Sequence, residues 1–323
     1  MNMHAPALAD AHLPDEQTSA FARDAVDDLS QHPKRLSPKY FYDATGSELF
    51  EAITRLPEYY PTRTELGILR DRGAEIASII PDGAALVEFG AGATTKVRLL
   101  LEKSAFAAYV PVDISGEFLN AQANGLRRDF PDLAVYPVAA DFTTPFKLPA
   151  QVARMPKVGF FPGSTIGNFE PHEASAFLRS ARDILGQGAQ MIVGADLEKD
   201  ERVLYDAYND AAGVTARFNL NVLVRINREL GGNFDLSAFT HRAIYNRERH
   251  RIEMHLISKK KQAVRMLGTT FAFHPGESIH TENSYKYSIP RFAALARDSG
   301  WTVRESWTDR KHMFSVHALL AVT

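Results

Sequence analysis

The chain contains no cysteine, which excludes disulfides, thiolate metal sites and a cysteine nucleophile and suits a reducing cytoplasm. No apolar stretch approaches the length of a membrane span, and residues 1–18 lack the apolar centre of a secretory signal. An excess of one charge is missing too. With 37 basic residues against 39 acidic ones, no broad nucleic-acid or membrane surface is expected. Neither Gly-x-Ser-x-Gly nor a P-loop occurs, so acyl transfer and nucleoside triphosphate hydrolysis have no support. The 11 histidines include no His-Glu-x-x-His pattern, and His250 and His255 fall on opposite faces of a predicted strand, so no metal site is expected. What is present is a chain of 323 residues, 45% hydrophobic, ample for a packed core that serves small ligands.

Residues 1–18 read as a flexible tail, after which Phe21, Ala25, Val26 and Leu29 recur at helical spacing. Residues 37–60 gather Tyr40, Phe41, Tyr42, Phe50, Tyr59 and Tyr60 around a short helix predicted over 47–54. Thr62 and Glu65 have capping-box spacing, which predicts a helix running to about residue 80. Strand patterns at 84–89, 109–112, 135–139, 158–161 and 190–194 then alternate with helical patterns at 95–102, 116–129 and 171–185. Such alternation predicts a parallel sheet with helices on both faces and ligands at the carboxyl ends of its strands. Helices over 198–212 and 214–230, and antiparallel strands within 240–273, interrupt it. A helix over 289–299 and strands at 301–307 and 313–322 close the chain as an edge hairpin.

Three strand ends carry chemistry. The first leads into Glu88-Phe89-Gly90-Ala91-Gly92, where glycine lets backbone N–H groups approach a ligand closely. The second ends in Asp113, whose carboxylate is placed to accept from both hydroxyls of a ribose. The third ends in Asp141-Phe142, an acid for the adenine amine and a ring to cover the base. An adenosine site without phosphate contacts favours S-adenosylmethionine over a dinucleotide, whose fingerprint wants a third glycine where Thr95 stands. The plainer readings are an ordinary glycine turn and acids that cap loops.

After the fourth strand, 161–168 reads Phe-Pro-Gly-Ser-Thr-Ile-Gly-Asn, whose Asn168 amide can donate to a carboxylate or cap a turn. Tyr205 and Tyr208 can share a helix face. Glu277 and Glu282, with Ser278, Thr281 and Ser284, read as a polar loop able to recognise a polar ring, or as a solvated one.

With these residues laid out, the chain closely resembles the histidine N-alpha-methyltransferases of ergothioneine biosynthesis, from about residue 37 onward. The resemblance rests on Phe41-Tyr42-Asp43-x-x-Gly46-Ser47-x-Leu49-Phe50, Leu56-Pro57-Glu58-Tyr59-Tyr60-Pro61-Thr62-Arg63, Gly163-x-Thr165-Ile166-Gly167-Asn168 and Ala207-Tyr208-x-Asp210-Ala211-x-Gly213. Phe218-Asn219-x-Asn221, Ile252-Glu253-Met254 and Thr281-Glu282-x-Ser284 continue it in the same order. It departs at Ala91, at Ala93-Thr94-Thr95 and at Pro162.

The resemblance implies an α/β fold: a Rossmann-like class I methyltransferase sheet over 62–196 and 286–323, with a discontinuous α+β substrate-binding lid over 19–61 and 197–285. It implies that Gly90, Lys96, Asp113, Asp141 and Phe142 hold S-adenosyl-L-methionine. Asn168 and Tyr208 would grip the carboxylate of L-histidine, with Gly163 alongside. Tyr59, Glu282 and Ser284 would hydrogen-bond the imidazole, Met254 would pack against it, and Tyr42 and Phe50, with Tyr59, would border the amine as it is methylated to hercynine. A cytoplasmic monomer with no nucleic-acid or membrane partner is expected. The alternatives are a related N-methyltransferase of tryptophan-derived amines, a nicotinamide oxidoreductase on the same sheet, and a non-catalytic sensor of the methyl donor.

Overall fold

The computed structural model describes residues 16–322, so the expected tail lies outside the described residues as far as residue 15. In chain order come α1 (Glu16–Ser30), β1 (Lys34–Arg35), α2 (Ala44–Thr54), α3 (Tyr60–Asp71), α4 (Gly73–Ser78), β2 (Ala85–Phe89), α5 (Thr95–Leu101), β3 (Ala108–Asp113) and α6 (Gly116–Asp129). The middle holds β4 (Ala134–Val135), β5 (Val138–Ala139), β6 (Lys157–Phe161), α7 (Pro171–Leu185), β7 (Gln190–Asp196), α8 (Glu201–Tyr208) and α9 (Val214–Glu229). Then follow β8 (Phe239–Asn246), β9 (Arg251–Ser258), β10 (Gln262–Met266), β11 (Thr269–Phe273), β12 (Ser278–Tyr285), α10 (Ile289–Asp298), β13 (Trp301–Thr308) and β14 (Phe314–Ala321).

These elements form two compact units. Among the described residues, the larger comprises 51–212, 243–253 and 283–322; the smaller comprises 16–50, 213–242 and 254–282. The larger holds an α/β sheet in the order β13-β14-β7-β6-β2-β3-β4, with β5 also paired to β3. β7, β6, β2, β3, β4 and β5 are parallel, and β14 and β13 return antiparallel, as the closing pattern predicted. Successive residues of β2 point to opposite faces. Ala85, Val87 and Phe89 join Phe177 and Leu178 of α7, while Leu86 joins Ile68 of α3, Val97 of α5 and Leu126 of α6. Burial on both faces is why these strands read as continuous apolar runs. The strand order reverses at the β2/β6 boundary, where open α/β sheets bind their ligands. The other strands make a four-stranded sheet, β1-β12-β9-β8, and the hairpin β10-β11.

Four local expectations are corrected. The strand expected at 135–139 is two short ones, because Pro137 has no N–H for the ladder. The helix from 62 to 80 instead starts at Tyr60 and breaks at Arg72 before Gly73, a weak helix former. The helix over 198–212 shrinks to α8, started by Asp200, whose carboxylate accepts from Arg202 N at 2.8 Å. The polar loop around Glu282 is the strand β12, with Ile279 and Thr281 turned inward and β1 paired alongside.

Inside the sheet, His317 of β14 is buried, stacked on Phe292 and bonded to Ser306 and Ser315 through its two ring nitrogens at 2.8 Å each. Burial pushes its imidazole down from 6.5 to about 3. The unfolded chain therefore takes up this proton first, and its contribution to stability is lost as pH falls from about 6.5 towards 3. His317→Gln is expected to flatten the melting temperature across that window relative to the unsubstituted chain; parallel slopes would contradict it.

Candidate active site

The glycine turn after β2 is built on φ: Gly90 sits at +73°, and a Cβ there would lie 3.2 Å from the Phe142 ring. The N–H groups of Gly90 and Ala91 both donate to Val112 O, at 2.9 and 3.0 Å, tying the turn to the end of β3. There Asp113 accepts from Ser115 N at 2.9 Å. Burial raises its carboxyl above the usual range, against backbone hydrogen bonds from Ser115 and Ile114. Asp141 accepts from Thr143 N at 2.9 Å and from the Thr143 hydroxyl at 2.5 Å, and Phe142 packs edge-on against Phe161 and Phe177. A glycine approached by an aromatic edge, with a carboxylate at each of the next two strand ends, offers an adenosine group a ring to cover the base and acceptors for its hydroxyls and amine.

Beyond β6, Gly163 adopts φ +81° and its N–H donates to both carboxylate oxygens of Glu65, at 2.9 and 3.0 Å. Lys96 closes the same carboxylate from α5 at 2.6 Å. Glu65 is thus no capping residue but a charge on the apolar stripe of α3, one helical turn from Ile68 and Leu69, only 1% exposed. Its room comes from Gly194 of β7, where a Cβ would stand 2.1 Å from Glu65 Oε1. Asn168 ends the short 3-10 turn Thr165–Asn168 that follows Gly163.

At the end of β7 lies a buried polar network that the sequence reading missed. Asp196 accepts from Tyr60 at 2.7 Å, Lys199 at 2.6 Å and Lys286 at 2.8 Å. Burial would raise the Asp196 carboxyl, but Lys286 and Lys199 overcome this and hold it below the usual carboxylate range. Burial pushes the Lys199 ammonium down to about 8, against the pull of Asp196. Lys286 also donates to Ser284 Oγ and to the hydroxyl of Tyr208. Asp196 is a further acid at a parallel strand end, the same signal that marked Asp113. Tyr59 belongs here, its ring 6.2 Å from that of Tyr208. Tyr205 does not; it is 51% exposed while Tyr208 is buried, so the two share no site.

In the smaller unit, the Tyr42 and Phe50 rings are 5.6 Å apart, and both pack on Phe218 of α9. Asp43 fixes this corner by accepting from Gly46 N at 2.7 Å, Asn221 at 2.8 Å and Arg228 at 2.6 Å. Gly46 is obligatory, since a Cβ would stand 1.7 Å from Phe41 O. Met254 lies buried in β9, its carbonyl accepting from Thr281 at 3.0 Å. Glu282 follows Thr281 in β12, half-buried.

A family model described as histidine-specific methyltransferase, SAM-dependent, matches residues 21–321. The histidine N-alpha-methyltransferase of Mycolicibacterium smegmatis is 41% identical over 313 residues, covering 94% of this chain and 95% of that protein. Its counterpart in Mycobacterium tuberculosis is 40% identical over 307 residues, 92% of this chain and 94% of that one. Ergothioneine biosynthesis protein 1 of Neurospora crassa is 31% identical over 294 residues, 85% of this chain but 32% of that longer protein.

Proposed function

Because the chain belongs to the family of S-adenosylmethionine-dependent, histidine-specific methyltransferases, we infer that it methylates the alpha-amine of L-histidine three times to give hercynine. The observation that carries this reading is similarity to histidine N-alpha-methyltransferases along nearly the whole of both chains. S-adenosylmethionine supplies the methyl group from a sulfonium; the chain's residues hold and orient. We assign the donor to Gly90, Lys96, Asp113, Asp141 and Phe142, within 62–196 and 286–323. Asn168 and Tyr208, beside Gly163, are assigned to the histidine carboxylate. Tyr59, Glu282 and Ser284 are assigned to the imidazole, with Met254 packed on it. These lie with Tyr42 and Phe50 in the proposed amino-acid segments, apart from Asn168 and Gly163.

Methyl transfer is an in-line displacement that needs a neutral amine, so positioning matters more than activation. The product is a permanent cation, which aromatic faces such as Tyr42 and Phe50 tolerate without a carboxylate. Among the described residues, no helix is long and apolar enough to cross a membrane. The setting we propose is a cytoplasmic monomer acting on the free amino acid.

Incubation with labelled donor and an amino-acid panel tests the reading. Trimethylated histidine is expected and tryptophan should be refused, because buried polar groups penalise a ring that leaves them unpaired. Preference for tryptophan would overturn it. Glu282→Ala is expected to weaken histidine binding roughly ten- to hundredfold, the cost of removing one partner of a buried hydrogen bond. Calorimetry should find affinity for the demethylated donor unchanged, and an equal loss for both ligands would contradict the assignment.

A further inference from the structure

Lys286 is completely buried, and its ammonium has three N–H groups and three oxygen partners: Asp196 at 2.8 Å, Ser284 Oγ at 2.8 Å and the Tyr208 hydroxyl at 3.2 Å. Tyr208 in turn donates to Ser284 Oγ at 2.7 Å. A serine oxygen has two lone pairs, and both are now taken. The one hydrogen-bonding element Ser284 has left is its proton, so towards a ligand it acts as a donor. Lys286 fills a lone pair of the Tyr208 oxygen as well. Should the Tyr208 proton turn to a stronger acceptor, Lys286 still occupies one lone pair on each oxygen, so both hydroxyl protons are available to acceptor atoms of a ligand.

We propose that Lys286 is a positioning residue that turns Ser284 and Tyr208 into hydrogen-bond donors for acceptor atoms of the amino-acid substrate. The matching acceptors are a ring nitrogen with a free lone pair and a carboxylate, so the preferred side chain is the neutral imidazole. This rests on the assignment of Ser284 and Tyr208 to histidine made above. With Asp196 and Lys199 beside it, Lys286 also brings surplus positive charge to these two hydroxyls, which suits an anionic carboxylate.

Lys286→Met in the full chain tests the proposal. Loss of the donors is expected to raise KM for histidine by at least about tenfold, with a smaller fall in kcat and unchanged calorimetric affinity for the demethylated donor. Lys286→Gln, which retains N–H donors, should recover part of the loss; a merely structural role would lower stability without this split. Lys286→Met protein that binds the demethylated donor normally and keeps the original KM overturns the proposal. If that variant fails to fold, the unsubstituted protein decides through two competitive inhibitors. Thiazolylalanine, whose ring keeps an acceptor nitrogen, should bind about tenfold tighter than thienylalanine, whose ring has none; equal inhibition overturns the proposal. Absence of any methylated histidine from the unsubstituted protein would instead bring down the functional reading itself.

Discussion

Replacing Glu65 with alanine is expected to lower the free energy of unfolding by roughly 3 kcal/mol, because it breaks a buried ion pair and leaves one charge unpaired. Lys96 would lose its carboxylate and Gly163 the acceptor for its N–H, at a position that is 1% exposed in the intact protein. The loss belongs at the low end of the range for such pairs, since Lys96 keeps 18% exposure and can draw on water. Urea denaturation with an unchanged slope would measure it. Glu65→Gln, which keeps an acceptor for Gly163 but not the charge, should fall between the two. A change below about 1 kcal/mol for the alanine variant would show that the carboxylate is not the tie described.

Asp113→Ala is expected to reduce affinity for S-adenosylmethionine and its demethylated product by roughly ten- to hundredfold, the cost of removing one partner from a buried hydrogen bond. Asp113 stands at the carboxyl end of β3, the strand next to the glycine turn. Its only effect on histidine should come through the donor, so histidine affinity measured without cofactor should stay within twofold, roughly the scatter of surface substitutions. Calorimetry with each ligand separately decides. A loss confined to histidine would move Asp113 out of the donor's pocket.

The parallel core was legible because its strands are short apolar runs between glycine and acid punctuation. The helices α6 and α7 run over the predicted residues, Gly116–Asp129 and Pro171–Leu185. The strand-end places of Gly90 and Asp113 were legible for the same reason, and Asn168 was legible as part of the turn that follows β6. Where reading failed, a tertiary partner had outvoted a local signal. Thr62 and Glu65 have the spacing of a cap, yet Glu65 is spent on Gly163, a residue 98 positions away. Ser278, Thr281, Glu282 and Ser284 look like loop composition, yet the period-two burial of Ile279 and Thr281 and pairing with β1 make a strand. Lys286 is not legible in the sequence because a lone lysine carries no pattern, and its meaning depends on Asp196 at the end of another strand.

Gly194 and Glu65 constrain each other's descent. A methyl group at position 194 would stand 2.1 Å from a carboxylate oxygen that Gly163 and Lys96 hold in place, so alanine enters there readily only once residue 65 has been shortened or has swung out of these contacts. Once it has, the return path is closed until the glycine is restored. Across relatives the two positions should therefore change as a pair, with the strand residue serving as a lock on the helix residue.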